Sequence, residues 1–149
     1  MSFTPAVVYH DPMAAVTWLQ TAFGFELAML IEPPADDPTM LHAEMSLGGR
    51  GRLMVGSEWS DWTRSPASLG GANTVHVHVD LETDLDAHCE HARHAGAIIE
   101  AEPADQFYGA RTYRARDPEG HVWSFAQTIR EVSREEAERV TGLKITGWA

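Results

Sequence analysis

Along this chain the hydrophobic pattern changes period in a fixed order, and it does so twice. Ala6-Val7-Val8-Tyr9 is a short β-prone run stopped at Asp11-Pro12, where aspartate suits a helix N-cap and proline the first helical turn. Ala15, Trp18, Leu19, Ala22 and Phe23 then fall at i, i+3, i+4, i+7 and i+8, a single apolar face that Gly24 ends. Phe25 to Ile31 reads as the next strand, and Glu32 to Thr39 as a loop rich in proline and aspartate. Met40 to Leu47 alternates, with Leu41, Ala43, Met45 and Leu47 on one side and His42, Glu44 and Ser46 on the other. Gly48-Gly49-Arg50-Gly51 is a turn, and Arg52 to Gly56 is the returning strand.

After a connection, 57–73, that carries Trp59, Trp62, Pro66, Gly70 and Gly71, the order restarts. Thr74 to Leu81 alternates, with Val75, Val77 and Val79 opposite His76, His78 and Asp80. The valines are expected beneath a helix from Asp84 to Ala95, whose apolar stripe is Leu85, Cys89 and Ala92 and whose cap is Gly96. Ala97 to Ala101 predicts a strand and Glu102 to Gly109 a loop. Tyr108 to Phe125 predicts a hairpin about the turn Asp117-Pro118-Glu119-Gly120, with Trp123 and Phe125 in the core and Ser124 on the opposite side. Helix starts at Asp11 and Asp84, and helix ends at Gly24 and Gly96, give a period of about 72 residues, which suits a tandem duplication. Neither half alone has the size to bury a core of its own.

The expected fold is therefore α+β. Tandem βαβββ modules, about 4–56 and 74–127, form an open, curved mixed β-sheet with helices on the outer face, within a single domain spanning 1–149. In the tail, 128–149, Ser133 and Glu136 form a capping box and Gly142 closes a short helix, expected to pack on the sheet or on a neighbouring subunit.

Composition narrows the partners. Eleven basic residues face 22 acidic ones, for a net charge of −11, and Lys144 is the single lysine. Such a surface repels phosphate backbones and anionic lipid, so neither nucleic acid nor membrane is an expected partner. The lone cysteine, Cys89, excludes an intrachain disulfide and is expected to pack in the core. Met1 to Pro5 lacks the basic and apolar regions of a signal peptide, so the expected location is cytoplasmic.

These segments resemble the glyoxalase / bleomycin-resistance / extradiol-dioxygenase superfamily, the vicinal oxygen chelate fold, over about residues 4 to 127. The resemblance rests on Asp11 through Ala22-Phe23-Gly24-Phe25-Glu26, on the Thr74 to Asp80 strand, and on Tyr108-Gly109-x-Arg111 with Asp117-Pro118-x-Gly120-His121. The spacing of the last pair is similar to the bleomycin-resistance-like branch. The resemblance implies a metal in many members, held by histidine, a carboxylate or its amide at one position on each of four strands. Here Thr4, Met54, Thr74 and Ser124 fall at those positions, and none is a usual ligand for zinc, nickel or iron. No metal or other cofactor is expected, therefore. A divalent metal enters only through a displaced set, His42, Glu44 and His76, because His42 and Glu44 share one strand face and His76 and His78 another, each pair about 6.6 Å apart.

Other side chains have two readings. Arg111 is either a forked donor to a ligand carboxylate or half of an internal ion pair. Tyr108 and Tyr113 either stack on a planar ligand or fill the mouth of the fold. Trp59 and Trp62 are expected to anchor their loop, with a lid as the alternative. His121 is expected to be structural, and His88, His91 and His94 to be surface residues flanking an apolar stripe. No catalytic serine or cysteine motif, P-loop or dinucleotide fingerprint occurs. The favoured function is metal-free binding of a small organic molecule by His42, Glu44, Met54, Thr74, His76, Tyr108, Arg111 and Ser124, in a homodimer. The alternative is a lyase, isomerase or dioxygenase of the same superfamily, metal-dependent through the displaced set or metal-free with Glu44 and His76 as acid and base.

Overall fold

A computed structural model describes residues 2–148. The first module runs β1 (Ala6–Tyr9), α1 (Pro12–Phe23), β2 (Glu26–Ile31), β3 (His42–Leu47) and β4 (Gly51–Ser57). The second runs β5 (His76–Asp80), α2 (Leu85–His94), β6 (Ile98–Asp105), β7 (Ala110–Arg116) and β8 (Val122–Thr128), and α3 (Arg134–Thr141) follows. Two four-stranded mixed sheets result, ordered β1-β4-β3-β2 and β5-β8-β7-β6, and they stay open. In each, the first strand lies parallel to the last, which requires the crossover that the helix supplies.

The helices form where the sequence signals them. Asp11 caps α1 by accepting from the Ala14 N–H at 3.1 Å, Pro12 occupies the first turn, and Gly24 ends it in the left-handed region at φ +75°. Asp84 caps α2 through the N–H groups of Asp86 and Ala87. The helical stripes and the inward strand positions merge into one core: Leu19, Ala22 and Phe23 of α1, Leu85, Cys89 and Ala92 of α2, Met45 and Val55 of the first sheet, Tyr113, Trp123 and Phe125 of the second. Phe23 packs edge-on to Phe125 and tilted against Trp123, so the first helix reaches across to the second sheet. Burial pushes the Cys89 thiol up to about 11, leaving it an inert packing group.

Several expectations change. Val77 and Val79 do pack against the core, only partly buried, but Val75 precedes β5 and is 65% exposed. β6 continues through the stretch expected to be a loop, as far as Asp105. Pro103 is tolerated because β6 is an edge strand, and the pairing with β7 shifts register between Ala101 and Ala104. Trp59 and Trp62 do not anchor their loop: they are 57% and 77% exposed and stack edge to face on each other. Ser65 and Pro66, both buried, hold that loop instead, with Asn73 donating to the Gly120 carbonyl.

One histidine of α2 also departs from expectation. His88 is partly buried, whereas His91 and His94 are exposed as expected, although His91 Nε2 donates to the Thr21 carbonyl at 2.6 Å. A carbonyl only accepts, so His88 Nε2–H donates to the Phe23 carbonyl at 3.1 Å while Nδ1 accepts from the Tyr113 hydroxyl at 2.7 Å. With Trp18 Nε1 donating to the Ala95 carbonyl at 2.8 Å, these bonds staple α1 to α2.

A second set of bonds ties β1 to the β7–β8 turn. The Asp117 carboxylate is 2% exposed and accepts from the Tyr9 hydroxyl at 2.6 Å and from Trp123 Nε1 at 3.0 Å. Its other oxygen accepts the N–H groups of Glu119 and His121. The Glu119 carboxylate accepts from the N–H groups of His10 and Asp11, and His121 Nε2 donates to the Val8 carbonyl. His121 is structural, as expected. Burial first, and the Asp117 charge second, hold the Tyr9 phenol well above its usual pKa, so it stays a donor.

The tail docks on the second module, where the Ile129 and Arg130 N–H groups both bond the Gly109 carbonyl. Gly109 lies at φ +89°, and a Cβ there would run into the Arg130 carbonyl, so only glycine fits this close approach.

Two outcomes follow. Asp117→Ala strands two buried donors and is expected to lower unfolding free energy by about 2–4 kcal/mol in urea titration, whereas an exposed carboxylate such as Glu32 is expected to be neutral to within about 0.5 kcal/mol. His88 gives a pH dependence: burial lowers its pKa below the ordinary 6.5, so below that pH the unfolded chain takes up the proton first. The stability contribution is complete above pH 6.5 and is lost as pH falls through the lower folded value. Urea midpoints measured between about pH 7.5 and about pH 5 are expected to fall less steeply in His88→Gln, whose amide keeps both bonds and does not titrate.

Candidate functional site

Burying one face of each sheet leaves the other face open. On the first sheet Ala6, Met54, Glu44 and Met29 sit opposite one another across four strands, and Val8, Gly56, His42 and Ile31 form the next row. Glu44 bonds the Arg52 guanidinium at 2.7 Å and has His42 Nε2 at 3.9 Å. On the second sheet His78, Ser124 and Arg114 form one row, and His76, Val122 and Arg116 the next. His78 lies 3.5 Å from Asp80, and Arg116 pairs with Glu100.

Between the modules runs a cleft of about 1170 Å³. Its walls are residues 2–5 and the β3–β4 hairpin on one side and β5 with the loop to Thr83 on the other. β5 pairs only with β8, so its outer edge is a wall of the cleft. Phe23, Phe25, Leu47, Leu53, Val77 and Val79 give it an apolar floor, and His88 and Gln127 supply polar groups. Arg50 and Glu82 meet across the rim at 2.8 Å, both well exposed and therefore a weak latch.

Sequence reasoning missed this cleft. Of the residues it selected, Thr4 lines the cleft, whereas His42, Glu44, Met54, Thr74, His76, Tyr108, Arg111 and Ser124 do not. Met54 and Ser124 lie on different sheets, and Thr4 and Thr74 lie outside the strands. His42 and Glu44 are on the first sheet and His76 on the second. Tyr113 is wholly buried core, and Tyr108 is exposed in the turn before β7, edge to face with Phe107. Arg111 is engaged internally. Its guanidinium bonds both Asp86 oxygens at 2.7 and 2.8 Å and Asp105 at 2.7 Å, and that fork holds the Asp86 carboxyl below its usual pKa.

The metal that the resemblance implies would need histidine or carboxylate donors. At the four expected positions the chain has Thr4, Met54, Thr74 and Ser124, and among the described residues no group of three or more His, Cys, Asp or Glu side chains is placed to hold an ion. These residues do not fit a divalent metal. Among the described residues no helix is long and apolar enough to cross a membrane.

Known proteins share this fold. TioX from Micromonospora sp. ML1 is 35% identical, with a TM-score of 0.64 over 86% of this chain and 99% of that one. Uncharacterized protein Rv0887c of Mycobacterium tuberculosis is 31% identical over 141 residues, 92% of this chain and 80% of that one. The fosfomycin resistance protein FosX from Listeria monocytogenes, solved with manganese(II) and 1S,2S-dihydroxypropylphosphonic acid, shares the fold alone, at 12% identity and a TM-score of 0.61 over 95% of this chain and 97% of that one. The family description matches residues 4–125, and the chain belongs to the Glyoxalase/Bleomycin resistance protein/Dioxygenase superfamily.

Proposed function

We propose that this member binds a small organic molecule between its two modules without the metal that many of its relatives use. The observation that supports this reading is the cleft of about 1170 Å³, at the upper end of small-molecule sites, with an apolar floor and a few polar groups on its walls. The ligand's body lies along Phe25, Leu47 and Val79, and in this proposal its polar groups extend beyond the cleft, toward His42, Glu44 and Met54 on the first sheet and toward Thr74, His76 and Ser124 of the second module. Tyr108 is a more distant aromatic contact. Arg111 is left out of this set because its donors are already taken by Asp86 and Asp105. Acid–base catalysis by Glu44 and His76 has less support, since Arg52 neutralises Glu44 and His76 belongs to the other sheet.

The chain also works as a homodimer in this proposal. Two open sheet faces and the free edge of β5 are surfaces that a second copy covers. Light scattering at micromolar concentration is expected to give twice the chain mass, and a monomer would remove the dimer from the proposal.

The binding reading has its own test. Protein purified without chelator is expected to contain no stoichiometric zinc, nickel, iron or manganese by elemental analysis. The same protein is expected to bind the uncharged apolar dye Nile red saturably, with affinity reduced about 10-fold or more by Leu47→Trp, which fills part of the cleft. Leu47 is only partly buried, so the variant is expected to keep its urea midpoint near that of the parent. Equal dye affinity in the two proteins, or a metal that stays bound at one per chain, would falsify the reading.

A further inference from the structure

We infer that the open face of the second sheet carries an oxyanion subsite, formed by Arg114, Ser124 and His78, that holds an acidic group of the ligand. The inference rests on the small-molecule reading above and names the charge that the ligand carries.

The argument begins with the arginines of the strands. Arg52 is paired with Glu44, Arg111 with Asp86 and Asp105, and Arg116 with Glu100. Arg114 has no ion-pair or hydrogen-bond partner among the described residues, although it sits at the middle of β7, an inner strand. Its neighbours Tyr113 and Ala115 face the core, so Arg114 projects from the open side. In a chain with twice as many acidic as basic residues, an inner-strand guanidinium left unanswered is conspicuous.

Register supplies the other donors. Arg114 is directly opposite Ser124 on β8, and Ser124 is directly opposite His78 on β5. Directly opposed residues share a face, and neighbouring strands lie about 4.8 Å apart, so the three side chains stand in one line across three strands. Ser124 is 8% exposed, and its hydroxyl has no protein partner among the described residues. His78 also lines the inter-module cleft, so the row runs from the cleft wall onto the sheet. Asp80 stands 3.5 Å from the His78 ring and offsets part of any charge there, which leaves Arg114 and Ser124 as the principal donors.

The first module shows what is absent here. Its corresponding open face carries Glu44 beside Arg52 and His42, a set that answers itself. In the second module Arg114 and Ser124 have no such partner among the described residues, and a guanidinium fork beside a hydroxyl matches the oxygens of a carboxylate or a phosphate-type group. The net charge of −11 opposes an incoming anion only at long range. At physiological salt that repulsion is screened beyond about 8 Å, whereas contacts within the subsite are not.

The test is titration of the isotopically labelled full chain with inorganic phosphate and, separately, with acetate, at ionic strength held constant with chloride, followed by amide NMR. Saturable shifts are expected at 76–78, 112–116 and 122–126, and whichever anion binds more tightly names the ligand's acidic group. Arg114→Gln is expected to weaken binding about 10-fold or more, the usual cost of a charge-assisted bond, and Ser124→Ala by a smaller factor. Arg139→Gln, on the exposed tail helix, is expected to change nothing. Shifts that never saturate, an Arg114→Gln variant that binds as the parent does, or an equal loss in Arg139→Gln would each overturn the subsite. Dye binding separates this inference from the one beneath it. Dye retained while anion binding is absent removes the subsite alone, and dye lost while phosphate still saturates removes the cleft reading alone.

Discussion

The structure depends on one buried carboxylate. Asp117 is surrounded by aromatic residues and is kept there by the hydroxyl of Tyr9, the indole of Trp123 and two N–H groups of its own turn. An ionised group taken out of water is costly unless each lone pair is answered, and here each carboxylate oxygen has two donors. Because one donor comes from the first module and the rest from the second, satisfying Asp117 fixes how the modules meet. The Glu119 and His121 contacts with the chain at Val8 to Asp11 extend the same junction, and the α1–α2 staples fix the opposite side. The cleft is what remains between residues 2–5 with the β3–β4 hairpin and β5 once both junctions are made.

Duplication has given two sheets of the same topology and unlike chemistry. The first open face pairs Glu44 with Arg52, whereas the second, beside its Arg116–Glu100 pair, carries an Arg114 that has no partner among the described residues, and the linker adds an aromatic pair that belongs to neither. Fold alone would treat the halves as equivalent. The difference lies in single side chains on matched rows, Glu44 among its partners and Arg114 without one among the described residues. A ligand of the kind proposed would meet an asymmetric surface despite the near-symmetry of the backbone.

Features set by neighbouring residues were legible in the sequence. The caps at Asp11, Asp84 and Ser133, the alternation of β3 and the inward Trp123 and Phe125 all follow from local geometry. β6 was cut short because Pro103 reads as a breaker unless the strand is known to lie at an edge. His88 read as solvated because a helical wheel shows only that it is polar, and the carbonyl that receives it belongs to another helix 65 residues away; His91 is exposed as expected, yet its ring reaches a carbonyl 70 residues away. The tryptophans read as anchors because size suggests burial. For Arg111 both readings were open, and Asp86, a residue of α2, decides between them. The cleft had no signal at all, since it belongs to the placement of two modules and to no segment of either.

The Tyr9–Asp117 bond joins positions 108 residues apart, and each module closes by pairing its first strand with its last. Such contacts make a chain slow to form, because long loops must be ordered before any contact repays them. They also set an order of events during synthesis. Emerging from the ribosome, the first module can assemble its sheet, but Tyr9, Phe23 and the inner side of α1 face partners that do not yet exist. At about 5–20 residues per second, the interval before the turn at Asp117 arrives lasts several seconds. Through that interval a half-made protein displays aromatic surface and an unfinished junction, open to chaperones and to the matching half of a neighbouring chain.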